Sequence, residues 1–236
     1  MGLKGNGVNI SNSKNITVIN CCFNSVATGV YAYKSAQLSI LRSRFSNIQG
    51  PFPRGQMVQF NEVTGGGNNI SYNKCQNVQG VSNPEDVINI YKSYGTLTSP
   101  IQIAGNQIRG GGPSKSGGGI MVGDNGGGYI TVKDNILVNP GQYGIAIAGG
   151  THINVMKNVI FGKRQPFTNV GIYIWNQHTS GCAFNTISGN KVNWTNARGE
   201  PNHGWNNGNC GNVNGWDTNI WGAAIDSTIL PATLVE

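Results

Sequence analysis

The sequence predicts an all-β protein folded as a single-stranded parallel β-helix, a solenoid of about seven coils, and three observations carry that prediction. Two short apolar units take turns along most of the chain. Each alternates with period 2, and no helical period separates them. Finally, 36 glycines and 33 asparagines against 11% charged residues leave helix-favouring residues scarce and turn-favouring ones abundant.

The first unit reads apolar-x-apolar-x-x-Asn-x-apolar. It is clearest in IQIAGNQI from Ile101, ITVKDNIL from Ile130 and INVMKNVI from Ile153, and looser from Ile16, Leu38, Ile70 and Asn185. Its starts are separated by 22, 32, 31, 29, 23 and 32 residues, the range expected of a repeat that stacks on itself. Between these copies falls the second unit, a small residue before a short alternating run: GVYAY, MVQF, VINIY, GIMVG, GIAIA and GIYIW. Strands that bury one face and repeat without helices must pair with their counterparts one turn away, at about 4.8 Å per coil. The expected inward columns are Val30, Val58, Ile88, Ile120, Ile145, Ile172 and Ala32, Phe60, Ile90, Val122, Ile147, Ile174. Asn106, Asn135, Asn158 and Asn190 share one turn position, where inward amides can satisfy a tight bend and stack on one another.

The 236 residues suit one domain, with repeat coils over 8–192 and a C-terminal wrapping loop and cap over 193–236. In that last region Trp205, Trp216 and Trp221 are expected on the coil exterior or over its end, and GAAID at Gly222 as the final strand. No apolar run is long enough for a membrane span, and the start lacks the basic and apolar segments of a signal peptide. A leading segment is therefore expected to have been removed. Five cysteines in no CxxC spacing argue against zinc; Cys182 with Cys210 is a plausible clasp for the C-terminal loop, and Cys21 and Cys75 read as core residues. The excess of 16 Lys and Arg over 9 Asp and Glu gives +7, which suits a polyanion or solubility alone. No nucleic-acid module accompanies it.

With PEDVINIY, IRGGGPSKSGGGIMVGDNGG and NPGQYGIAIAGG, the chain resembles the pectate-lyase-like right-handed parallel β-helix superfamily, and within it small bacterial alginate lyases. The resemblance covers Val8 to about Val192. It implies a right-handed coil, a secreted monomer and an acidic polysaccharide substrate cleaved by β-elimination. Hydrolysis and non-catalytic carbohydrate binding stay open, since the superfamily includes both and fold does not choose. The stacked-Asp motifs of its polygalacturonase branch are absent, as are the ordered Arg-Lys pattern of its better-known pectate lyases and an epimerase acidic-His motif.

The outward columns supply the candidate residues. One runs Tyr33, Asn61, Tyr91, Gly123, Ala148, Trp175, a small-residue floor flanked by aromatic and amide groups suited to sugar rings. The next runs Lys34, Glu62, Lys92, Asp124, which reads either as a charge ladder or as the edge of a reactive groove. Elimination needs carboxylate neutralisation, a base and an acid. Tyr91 is the expected base, with Lys92 or Arg109 to lower its pKa; Tyr143 and His178 are reserve proton carriers. Arg109 opens a basic loop with Lys115 at its tip, expected to close over the substrate, while Tyr33, Asn89, Tyr173 and Trp175 are expected to contact sugars. Glu62, Asp86 and Asp124 offer oxygen ligands to a divalent cation such as Mg²⁺ or Ca²⁺, though none is required, or a carboxylate pair for hydrolysis.

Overall fold

The computed structural model describes residues 5–50 and 55–235, so most of the expected turn between Gly50 and Gly55 lies outside the described residues. It is all-β, with two 3₁₀ turns, Trp216–Thr218 and Ser227–Ile229, as its helical elements. Among the described residues every pairing between strands is parallel, with the strand a repeat away, and the one antiparallel contact is the isolated bridge Thr195–Pro201. The strands form three stacks. Two belong to a fifteen-stranded sheet and are joined by the long strand Ile120–Lys133, which takes part in both; the third is an eight-stranded sheet. Stacked parallel sheets of this kind are consistent with a parallel β-helix.

Alternation produced the core as expected. Both inward columns are fully buried, and the register aligns Val30 with Val58, Val58 with Ile88, Ile88 with Ile120, Ile120 with Ile145 and Ile145 with Ile172. The asparagine column is longer than its sequence pattern indicates, running Asn73, Asn106, Asn135, Asn158, Asn190, Asn219. Each amide nitrogen donates to the next oxygen in line, and the same oxygen accepts the preceding residue's backbone N–H, so every bend in this dry interior is satisfied. The residue before each of the first five ladder positions turns the corner in the left-handed region: Tyr72, Gly105, Asp134, Lys157 and Gly189 all have φ between 55° and 63°. That recurring corner is one reason the chain uses so much Gly and Asn.

The C-terminal region departs from the expectation of a loop. Lys191–Trp194 is a strand with Trp194 fully buried, and Gly204–Asn206 pairs with Val170–Ile174, adding a level to the first stack. The last strand is Ile220–Trp221 rather than GAAID, because the left-handed Gly222 (φ 76°) ends it. Trp216 and Trp221 pack together at 4.8 Å against the end of the core, as expected of a cap. Cys182 and Cys210 form a disulfide, while Cys75 is buried and Cys21 and Cys22 are free thiols nearer the surface. Beyond it, Leu230 and Leu234 pack on Val138 of the eight-stranded sheet, and Gln76 Oε1 accepts the Leu234 N–H at 2.6 Å.

Candidate functional site

Outward residues of the first stack make the site. Register aligns Tyr31, Gln59, Asn89, Met121, Ala146, Tyr173 and Trp205 across seven levels, a column lying between the two inward ones. At the middle of the stack the register slips. Asn89 sits opposite Met121, yet Tyr91 sits opposite Asp124, so the second strand carries one extra residue, a β-bulge. Gly123 makes it possible, with φ 68° and a position where a Cβ would stand 2.0 Å from the Gly149 carbonyl oxygen. The expected column Tyr91–Gly123 and the expected pair Lys92–Asp124 are both corrected by this slip. Asp124 stands beside Tyr91, while Lys92 is exposed with its Nζ 5.3 Å from the Tyr91 ring centroid.

A cleft of about 630 Å³ opens over this bulge. On its floor Asn89 Nδ2 donates to Asp86 Oδ2 at 2.8 Å and to Asp124 Oδ2 at 3.0 Å, so one amide holds two carboxyl groups. Asp86 Oδ1 accepts the Gly118 N–H at 3.0 Å and the Tyr143 hydroxyl. Despite these donors, burial dominates and pushes the Asp86 carboxyl up to about 7. Burial, then the neighbouring Asp86 charge, likewise raises the Tyr143 phenol well above its usual range. His178 Nε2 lies 3.3 Å from Asp124 Oδ1, and Asn125 Nδ2 holds the Tyr91 hydroxyl at 2.9 Å. Ser116 Oγ donates to Glu85 Oε1 at 2.6 Å on the wall.

The structure therefore gathers Tyr91, His178, Asn89, Asp86 and Asp124 in one cleft. Tyr143 lies fully buried behind Asp86, which corrects its role as a proton carrier facing substrate. Arg109 is corrected too. It lies on the eight-stranded sheet, where Nη2 donates to the Ser227 and Leu230 carbonyls at 2.6 and 2.7 Å, clamping the C-terminal segment instead of closing a loop. Glu62 pairs with Lys34 at 3.9 Å, an exposed rung of the predicted charge ladder, and does not line the cleft with Asp86 and Asp124. No group of three or more His, Cys, Asp or Glu that could hold a metal ion occurs among the described residues. Tyr33 packs under Lys34 Nζ, outside the cleft lining.

Tyr173, Trp175 and Lys115 line a neighbouring hollow of about 300 Å³ that shares Ser116, Met121 and Gln177 with the cleft. Trp205 joins them there, its ring 5.9 Å from Trp175 and 6.4 Å from Tyr173. Sequence reasoning expected Trp205 on the coil exterior or over its end without assigning it to this column, and passed over Gln59, Met121 and Asn125. The first two were readable as the outward positions between two inward columns; Asn125 follows only from the bulge. Electrostatically, among the described residues the cleft lining holds Glu85, Asp86 and Asp124 but no Lys or Arg. Another carboxylate placed about 5 Å from Asp124 would meet about 3 kcal/mol of repulsion at an effective dielectric of about 20. Comparison with protein-family models, with curated proteins and with solved structures returns no match.

Proposed function

We propose that this chain is a glycan-cleaving hydrolase on a right-handed, pectate-lyase-like parallel β-helix, with Asp86 as general acid and Asp124 as the facing carboxylate. The observation that carries the reading is the carboxyl pair bridged by Asn89. Both oxygens lie within hydrogen-bonding distance of one nitrogen, which holds them no more than about 6 Å apart, nearer the spacing of retaining than of inverting glycosidases. Asp86, with its carboxyl pushed up to about 7, carries a proton at slightly acid pH and gives it to the glycosidic oxygen as the bond to the anomeric carbon breaks. Asp124, held by His178 and Asn89, attacks that carbon; water then releases the sugar with Asp86 taking the proton back.

Elimination from a uronate chain is the second reading, favoured by Tyr91 and His178 lining the same cleft as a phenol and an imidazole able to exchange protons. Incubation with a panel of neutral and acidic glycans separates the two. New reducing ends with retained anomeric configuration and no ultraviolet absorbance are expected, and Asp86→Asn or Asp124→Asn should slow them by a factor of about 10² to 10⁴. Unsaturated uronates among the products would replace hydrolysis with elimination.

A further inference from the structure

We propose that the cleft and the aromatic hollow beside it form one groove for an uncharged, hydroxyl-rich glycan lying across the strands, not for a uronate chain. The inference rests on the glycan-site reading above and deepens it by assigning the charge and length of the ligand.

Unpaired acceptors carry the first step. Asn89 is only 5% exposed, and its amide nitrogen is occupied by the two aspartates, yet its Oδ1 is buried without a partner. Asn61 repeats the pattern: Nδ2 donates to the Tyr31 hydroxyl at 3.1 Å while Oδ1 is buried and unpaired. Both residues line the cleft. A buried acceptor without a donor is costly, so a ligand that fits must bring donors there. Sugar hydroxyls do so, and a carboxylate does not, so these acceptors call for the hydroxyls of a glycan while the charge of the lining decides against its carboxylates.

Charge points the same way. The chain as a whole carries +7, yet among the described residues three carboxyl-bearing side chains and no Lys or Arg line the cleft. Lys115, at the hollow, is exposed.

Length follows from the register. From Asn89 the outward column passes through Met121, Ala146 and Tyr173 to Trp205, four levels, or about 19 Å at 4.8 Å per level. That step is close to the length of one pyranose unit; Ala146, between the two ends, is itself fully buried. Trp175 and Trp205 are 40% and 42% exposed and stand edge to face, offering a ring surface to a sugar several units from the carboxyl pair.

Isothermal titration with hexasaccharides tests the inference, using neutral β-glucan, xylan and mannan hexamers against polygalacturonate, polyguluronate and polymannuronate hexamers. At least one neutral hexamer should bind, every uronate hexamer at least about tenfold more weakly. Trp175→Ala and Trp205→Ala should each weaken neutral binding by up to about tenfold, the range that aromatic contact energies convert to. Both side chains are exposed, so an unchanged circular dichroism spectrum is expected to show the variants folded. A uronate hexamer binding as tightly as the best neutral one overturns the inference, as does the failure of every neutral hexamer to bind, or tryptophan variants that bind like the wild type. A neutral hexamer that binds but is never cleaved removes the acid-base reading and leaves this one standing. Hydrolysis of a uronate chain does the reverse.

Discussion

Replacing Asn135 by alanine tests whether the buried amide ladder holds the levels together. Its side chain takes part in four hydrogen bonds, all between buried groups. Oδ1 accepts the Asn106 N–H and the Asn106 amide, both at 2.9 Å, while Nδ2 donates to the Ile103 carbonyl and to Asn158 Oδ1, again at 2.9 Å. At about 1 kcal/mol net for each bond, alanine removes about 4 kcal/mol. The Asn106 N–H loses its acceptor at a fully buried position, and that desolvation penalty keeps the loss from being smaller. Against a total stability of about 5–15 kcal/mol, a single change in the middle of the ladder is then a large fraction.

Equilibrium urea unfolding followed by circular dichroism measures it. The exposed Asn212, which donates only to Asn214 on the surface, is the control, and Asn212→Ala should stay within about 0.5 kcal/mol of wild type. Asn135→Asp keeps both acceptor contacts but loses both donations and adds a buried charge, so it should be at least as damaging as alanine. A loss under about 1 kcal/mol for Asn135→Ala, or one equal to the control, would refute the idea that these amides are the bends' essential partners.

Three further outcomes are expected. Asp86 has an ordinary carboxyl value of 3.8 raised to about 7 by burial, so the folded chain keeps a proton that the unfolded chain releases; wild-type stability should fall as pH rises through that window, by about 4 kcal/mol at about 1.4 kcal/mol per pH unit. Asp86→Asn should flatten the fall, and parallel pH profiles for the two proteins would count against it. Arg109→Met should lose about 2 kcal/mol and expose residues 227–235 to limited proteolysis while glycan cleavage continues; lost activity with an intact tail would return Arg109 to the reaction. Breaking the Cys182–Cys210 link, which closes a separation of 28 residues, should lower stability by about 3.5 kcal/mol, and thiol titration of the unfolded, unreduced chain should find three free cysteines.

The core was legible because burial on one face forces strict alternation, and Val30 to Ile172 show it at every level. The ladder was legible only where the spacing of the unit repeats. Asn73 falls in the looser copy begun at Ile70, but register pairs Ile70 with Ile103 and not Ile101, so that copy starts two residues late and misses its amide, and Asn219 follows a 3₁₀ turn outside any copy. Arg109 could not be placed from its neighbours, because its partners Ser227 and Leu230 are 118 and 121 residues away and contacts of that range leave no local pattern. The exterior placement of Trp205 was expected, but the level it joins was hidden because its strand is three residues long, too short to display a period.

The site itself turns on Gly123. Period-2 reading carries the face of a strand forward only while the residue count holds, and one extra residue reverses every assignment after it. Gly123 inserts that residue, and a second slip between Tyr91 and Ser93 adds another, so that Ser93 faces Gly127. Ile120 and Val122 stay inward on the register of Ile145 and Ile147, whereas Asp124 moves from the Lys92 position to the Tyr91 position. There it reaches Asn89, and through the shared amide it meets Asp86, two residues before the neighbouring strand Ile88–Tyr94. The carboxyl pair therefore exists because alternation fails at one glycine. An alanine there would place its Cβ against the Gly149 carbonyl oxygen and in a backbone region that side chains avoid. The residue that defeats the sequence pattern is also the one that assembles the chemistry, which is where departures from local consistency are expected to gather.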